Sequence, residues 1–171
     1  EWKKLIERIK KPASAGSHKE VNIVIVGKYF GTGEYQLRDS YAALFDAIDH
    51  AAWNAGVDVK THWIDAEKVE SSVAVHEIIG TPDGIIVPIG WGERGAEGMI
   101  TAASIAREKK IPYLGLCYGM QLAVVSFARD VLRLKDADTT ENNPKTAYPV
   151  IHLMPKQKVF MDKRAYGGTM R

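Results

Sequence analysis

The only cysteine of this 171-residue chain lies within Gly115-Leu116-Cys117-Tyr118-Gly119-Met120-Gln121. Glycines two before and two after a nucleophile are what a nucleophile elbow requires, because the tight turn crowds any side chain at those positions. The approach, Ile111 to Leu116, is short and apolar, and from Met120 to Leu134 apolar residues recur at helical spacing (Leu122, Val125, Phe127, Val131, Leu134). Cys117 therefore sits at a helix start, where unpaired amides and the positive end of the helix dipole favour a thiolate. A lone cysteine in a soluble protein is more commonly a buried structural residue. Here the strand-turn-helix context favours a nucleophile that attacks a carbonyl carbon.

Such an attack needs somewhere to place negative charge. Pro88-Ile89-Gly90-Trp91-Gly92-Glu93-Arg94-Gly95 is a glycine-rich turn at the end of another strand. If residues 84–88 lie beside 114–116, the amides near Gly90 and at Tyr118 converge on one developing oxyanion. The turn lacks the G-x-G-x-x-G spacing of a dinucleotide site and does not follow the first strand. Taken alone, it is a plain strand-to-helix turn. A cysteine also needs a base to carry its proton, usually a histidine oriented by a carboxylate. None of His18, His50, His62, His76 and His152 stands in such a setting, and His152, the sole histidine after Cys117, is embedded in the apolar run 149–154.

The elements that position these residues follow from periodicity. Residues 1–11 form an amphipathic helix (Trp2, Leu5, Ile6, Ile9) leading into the linker Pro-Ala-Ser-Ala-Gly-Ser, so 1–19 reads as a connector from an upstream domain and 20–171 as one globular domain. Strands are expected at 21–26, 57–63, 84–88, 114–116 and 149–154, and helices at 37–54, 66–79, 96–109 and 120–134. Apolar strands alternating with helices imply an α/β fold: three layers, a mostly parallel sheet with helices on both faces, and a site at the carboxyl ends of the strands. With 46% hydrophobic residues the chain can bury a real core. A net charge of +2, with acids and bases interspersed, gives no basic stripe for nucleic acid. One cysteine forbids an internal disulfide, and no apolar run reaches membrane-spanning length, so the expected setting is cytoplasmic.

The cysteine motif resembles the elbow of the class I (triad) glutamine amidotransferases. Gly92-Glu93-Arg94-Gly95, Gln121 to Val125, Asp138-Thr139-Thr140-Glu141, Pro149-Val150-Ile151 and Gly167-Gly168-Thr169-Met170-Arg171 are similar to the glutaminase domains of CTP synthases. The resemblance covers nearly the whole chain. It implies a flavodoxin-like fold, hydrolysis of L-glutamine through a Cys117 thioester, and delivery of ammonia to an amidoligase domain that aminates UTP to CTP. By matched position, glutamine would be held by Gly90, Tyr118, Gly119, Met120, Gln121, Glu141 and Arg171, with Gly90 and Tyr118 forming the oxyanion hole. A carboxylate such as Glu141 suits an α-ammonium, and an arginine such as Arg171 can fork onto an α-carboxylate. No metal or cofactor is implied in this domain. ATP, Mg and UTP belong to the amidoligase domain, and GTP acts as an allosteric activator, with Trp91 at a position where a base could stack. The full-length enzyme would be a homotetramer and the isolated domain a monomer.

Three departures accompany the resemblance. Ile89 stands where the family usually has the first glycine of Pro-Gly-Gly-Phe-Gly, and a β-branched residue resists positive φ and any peptide flip that needs it. Asp138 and Thr139 replace the usual Asn and Ser. The family's catalytic His and Glu lie well downstream of the Gly-Gly-Thr-Met-Arg segment, so the triad is incomplete up to Arg171. Two other readings stay open on the residues alone: a non-catalytic glutamine-binding or regulatory module, and a γ-glutamyl hydrolase-like cysteine hydrolase.

Overall fold

The structure is a computed structural model that describes residues 1–10, 19–32, 35–36, 38–71, 77 and 79–154. The expected linker, most of the second half of the 66–79 helix, and the Gly167–Arg171 segment lie outside the described residues.

Four parallel strands form the main sheet: β1 (Glu20–Gly27), β4 (Asp58–Asp65), β5 (Gly84–Val87) and β6 (Tyr113–Gly115), in the order β4-β1-β5-β6. Two short strands, β2 (Gly31–Thr32) and β3 (Tyr35–Gln36), pair antiparallel between β1 and the first long helix. β1 pairs with β4 from Glu20↔Asp58 to Gly27↔Asp65, and its other edge meets β5 at Ile25↔Ile86. β5 in turn pairs with β6 at Val87↔Gly115, which sets the glycine-rich turn beside the cysteine elbow as the sequence required.

Both faces of the central strands are covered, which is why β5 is buried along its length and Val24 to Val26 of β1 are apolar on both sides, whereas the edge strand β4 begins with alternating exposed and half-buried residues. Ile25 and Ile86 point to the side of α2 (Ala42–Ala55), where they pack with Phe30, Tyr41 and Phe45. Val24, Val26, Ile85 and Val87 point the opposite way, against α3 (Ala66–Ser71), α4 (Ala96–Glu108) and α5 (Tyr118–Asp130). Ahead of them, α1 (Trp2–Lys10) leaves Trp2, Leu5 and Ile9 exposed.

Several boundaries differ from expectation, among them the strand expected at 149–154, which ends at Ile151, and the one expected at 57–63, which runs on to Asp65. Asp39–Tyr41 form a 3-10 turn and α2 begins only at Ala42, because Tyr41, at φ −129°, breaks the helical backbone as its ring turns into the core. α5 starts at Tyr118 and stops at Asp130, where the amides of Val131 and Leu132 both donate to the Phe127 carbonyl and Arg133 takes φ 61°. Ala137–Thr139 is a strand, β7, pairing in parallel with β8 (Tyr148–Ile151).

Candidate active site

Cys117 occupies the link from β6 into α5 with φ 52° and ψ −103°, a backbone that L-residues rarely adopt, and its side chain is exposed. Strain of this kind persists only when neighbouring structure over-determines it. Here the flanking glycines do so. A β-carbon on Gly115 would stand 2.6 Å from the Met120 amide nitrogen, and one on Gly119 would collide with the carbonyl of Val87 in β5. The first turn of α5 is thus pressed against the end of β5, and the Leu116 amide donates to the Val87 carbonyl at 2.9 Å.

Beyond Val87 the glycine-rich turn passes over Lys28 and Tyr118. Gly90 is buried, and a β-carbon there would lie 2.9 Å from Lys28 Cδ and 3.2 Å from Tyr118 Cδ1. Among the described residues, no hydrogen bond takes up the amides of Gly90 or Tyr118. Two neighbouring donors left without acceptors at the mouth of the elbow suit a developing oxyanion.

The rest of the turn is anchored group by group. Lys28, only 3% exposed, donates from Nζ to the carbonyls of Trp91 and Gly92, both at 2.5 Å, and lies over the Tyr118 ring. Burial, chiefly, together with the Arg94 charge, lowers its pKa below the ordinary lysine value. The Tyr118 hydroxyl, whose pKa burial raises, lies 2.9 Å from the Gly92 carbonyl and 2.5 Å from Asn142 Oδ1. The Trp91 amide donates to Tyr29 Oη at 3.2 Å, while the Trp91 ring is 60% exposed. Ile89, exposed and without positive φ, offers its carbonyl to Tyr41 Oη at 3.1 Å.

Glu141 reaches this turn from the β7–β8 connection and accepts the Gly92 amide at 2.6 Å. Arg129 of α5 secures that connection: it donates to the Ala137 carbonyl and forms ion pairs with Glu97 of α4 and with the largely buried Asp138. Asp138 Oδ1 accepts from the Thr139 amide and from Asn142. Met120 is exposed and Gln121 half-buried on the first turn of α5.

The structure therefore gathers Gly90, Cys117, Tyr118, Gly119 and Glu141 at the carboxyl ends of β5 and β6. Arg171, His18 and His76 lie outside the described residues. The remaining histidines sit in unremarkable settings: His50 packs on Trp53, His62 faces Asn22 Oδ1, and His152 Nδ1 lies 3.0 Å from the Leu153 carbonyl. None of the described histidines has a carboxylate partner. Lys28, Tyr41, Asn142 and Arg129 escaped the sequence reading. A lysine directly after the carboxyl end of a buried parallel strand was the one available signal, since such ends carry sites.

The description "Glutamine amidotransferase class-I" belongs to the family model that matches residues 36–165. Over its full length the chain is 46% identical to a CTP synthase of Shouchella clausii and 43% identical to CTP synthases of Bacillus cytotoxicus and Bacillus thuringiensis. It spans 29% of the length of these curated relatives. Among solved structures it resembles the glutaminase domain of Trypanosoma brucei CTP synthase with bound acivicin, with a TM-score of 0.70 and 32% identity over 80% of this chain and 51% of that one.

Proposed function

Because this chain belongs to the class I glutamine amidotransferase family, we propose that it is the glutaminase domain of a CTP synthase, hydrolysing L-glutamine to supply ammonia for the amination of UTP. The observation that carries the chemistry is the strained elbow that holds Cys117 beside the unpaired amides of Gly90 and Tyr118. The Cys117 thiolate adds to the side-chain amide carbon, and the negative oxygen rests between those two amides. Collapse breaks the C–N bond, the nitrogen leaves as ammonia after taking a proton, and a thioester remains for water to cleave. None of the described histidines has the carboxylate partner that would orient it to carry that proton. Glu141 holds the substrate's α-ammonium, releasing the Gly92 amide as glutamine enters, and Arg171 takes the α-carboxylate.

The partner is an amidoligase domain that binds ATP, Mg and UTP, to which α1 and the following linker connect. The exposed apolar face of α1 supports that role. GTP acts on the same assembly, with the exposed ring of Trp91 as its stacking face. The decisive experiment treats the intact gene product with a glutamine-mimicking diazoketone and measures its mass. One adduct on Cys117, together with glutamine-dependent CTP formation, is expected. A protein that stays unlabelled and consumes no glutamine overturns the reading. The lack of a carboxylate-oriented histidine among the described residues favours one second reading, a module that binds glutamine without turnover. It predicts saturable glutamine binding with no ammonia released.

A further inference from the structure

The Ile89–Gly90 peptide has a plane set by a side chain from a different element. Tyr41, at the entry to α2, has its hydroxyl 3.1 Å from the Ile89 carbonyl, and the same oxygen accepts the backbone amide of Lys28 at 3.2 Å. With its acceptor lone pair engaged by Lys28, the phenol is left to donate to Ile89. Tyr41 is only 4% exposed, is packed against Phe30 with ring centroids 5.1 Å apart, and is flanked by Gly27, where a β-carbon would stand 3.1 Å from Tyr41 Oη. The hydroxyl is therefore fixed from three sides before it reaches the turn.

In a trans peptide the carbonyl and the following N–H point in opposite directions, and the chain has no cis bonds among the described residues. Anchoring the Ile89 oxygen on Tyr41 consequently fixes where the Gly90 N–H points. Turning that peptide would change ψ of Ile89 and φ of Gly90, and a glycine at position 90 offers little steric resistance to such a turn, so the hold on the plane falls to the Tyr41 hydroxyl. We propose that Tyr41 is a positioning residue for the oxyanion donor at Gly90, holding through its hydroxyl an amide that the glycine at position 90 would otherwise leave free to turn. This rests on the glutaminase reading and adds to it the residue that pre-organises the donor.

The test compares the intact gene product with its Tyr41→Phe variant, in which the ring and its packing remain. Two readouts are taken: steady-state glutamine hydrolysis, and inhibition by L-glutamate γ-semialdehyde. This aldehyde reports the hole directly. The Cys117 sulfur adds to its carbonyl carbon, the C=O π bond opens, and the thiol proton ends on the former carbonyl oxygen with no group leaving. Removing a whole oxyanion donor costs about 10²- to 10³-fold in kcat, so loosening one is expected to cost about tenfold, with a similar loss of aldehyde affinity. KM should stay within about twofold, because the ground-state amide draws little on the donor.

Unchanged kcat and unchanged aldehyde inhibition in Tyr41→Phe overturn the inference, as does a rise in KM alone. If the wild-type protein neither hydrolyses glutamine nor binds the aldehyde, it is the glutaminase reading that fails. Should Tyr41→Phe not fold, Gly27→Ala displaces the same hydroxyl by contact and is held to the same two readouts.

Discussion

The carbonyl oxygen of Val87 lies 2.0 Å from the point a β-carbon on Gly119 would occupy, so the strand that carries the glycine-rich turn and the helix that carries the nucleophile touch backbone to backbone. Gly119→Ala must push α5 off β5. Overpacking of this kind costs about 3 kcal/mol when only backbone can yield. The urea midpoint should fall, and the rate of Cys117 alkylation by a glutamine-mimicking diazoketone should drop with it.

Cys117 stores conformational energy that a glycine would not. Cys117→Gly relieves the strained φ, whereas Cys117→Ala keeps it, and both abolish the nucleophile. After the extra unfolded-state entropy of glycine, the Gly variant should be more stable than the Ala variant by about 1 kcal/mol. Chemical denaturation of the two variants side by side measures this, and equal midpoints would show that the elbow is unstrained.

Glu141 is expected to act on substrate binding. Glu141→Gln keeps the shape and an acceptor for the Gly92 amide but removes the charge facing an α-ammonium. Hydrogen bonds to charged groups are worth about 1.5–3 kcal/mol, so KM for glutamine should rise roughly 10- to 100-fold, with kcat less affected.

Lys28→Met retains the apolar stem beneath Gly90 and Tyr118 while deleting the ammonium that binds two carbonyls of the turn. Leaving the Trp91 carbonyl without its donor costs about 1–3 kcal/mol. Limited trypsin digestion should then cut faster after Arg94, two residues beyond the anchored segment, and an unchanged rate would show that the lysine does not hold the turn.

Between α4 and α5, burial pushes the Asp130 carboxyl up, but hydrogen bonds from Ser104 and Arg107 and the Arg107 charge outweigh it and hold its pKa below the ordinary carboxylate value. A carboxylate lowered on folding contributes stability that is present above its unfolded pKa of about 3.9 and is lost as the pH falls through its folded value. Asp130→Asn should therefore destabilise the protein at neutral pH and flatten the acid limb of its stability profile, read as denaturation midpoints from pH 7 to pH 3.

The sheet, its two covered faces and the elbow were legible because each rests on local pattern: apolar runs of strand length, helical periodicity, and glycines that only a tight turn explains. β7 was not legible. Ala137-Asp138-Thr139 has neither alternation nor β-branched density, and it becomes a strand through the Arg129 bonds and its pairing with β8. The start of α2 was misjudged for a related reason, since helical spacing continues through Tyr41 although its ring is needed in the core. Lys28 and Tyr41 act on a turn some fifty to sixty positions away in sequence, a kind of contact that periodicity cannot convey.

The order β4-β1-β5-β6 also dictates a sequence of events during synthesis. β1, α2 and β4 form a contiguous stretch of chain, and β1 makes its longest pairing with β4. That unit can close as soon as Asp65 has left the ribosome, because all of its residues precede those of β5 and β6. β5 and then β6 must add to the opposite edge of β1. At about 5–20 residues per second, the elbow follows by roughly several seconds. Cys117 therefore meets a sheet whose strands have already emerged, and the strained turn forms against a surface able to impose it.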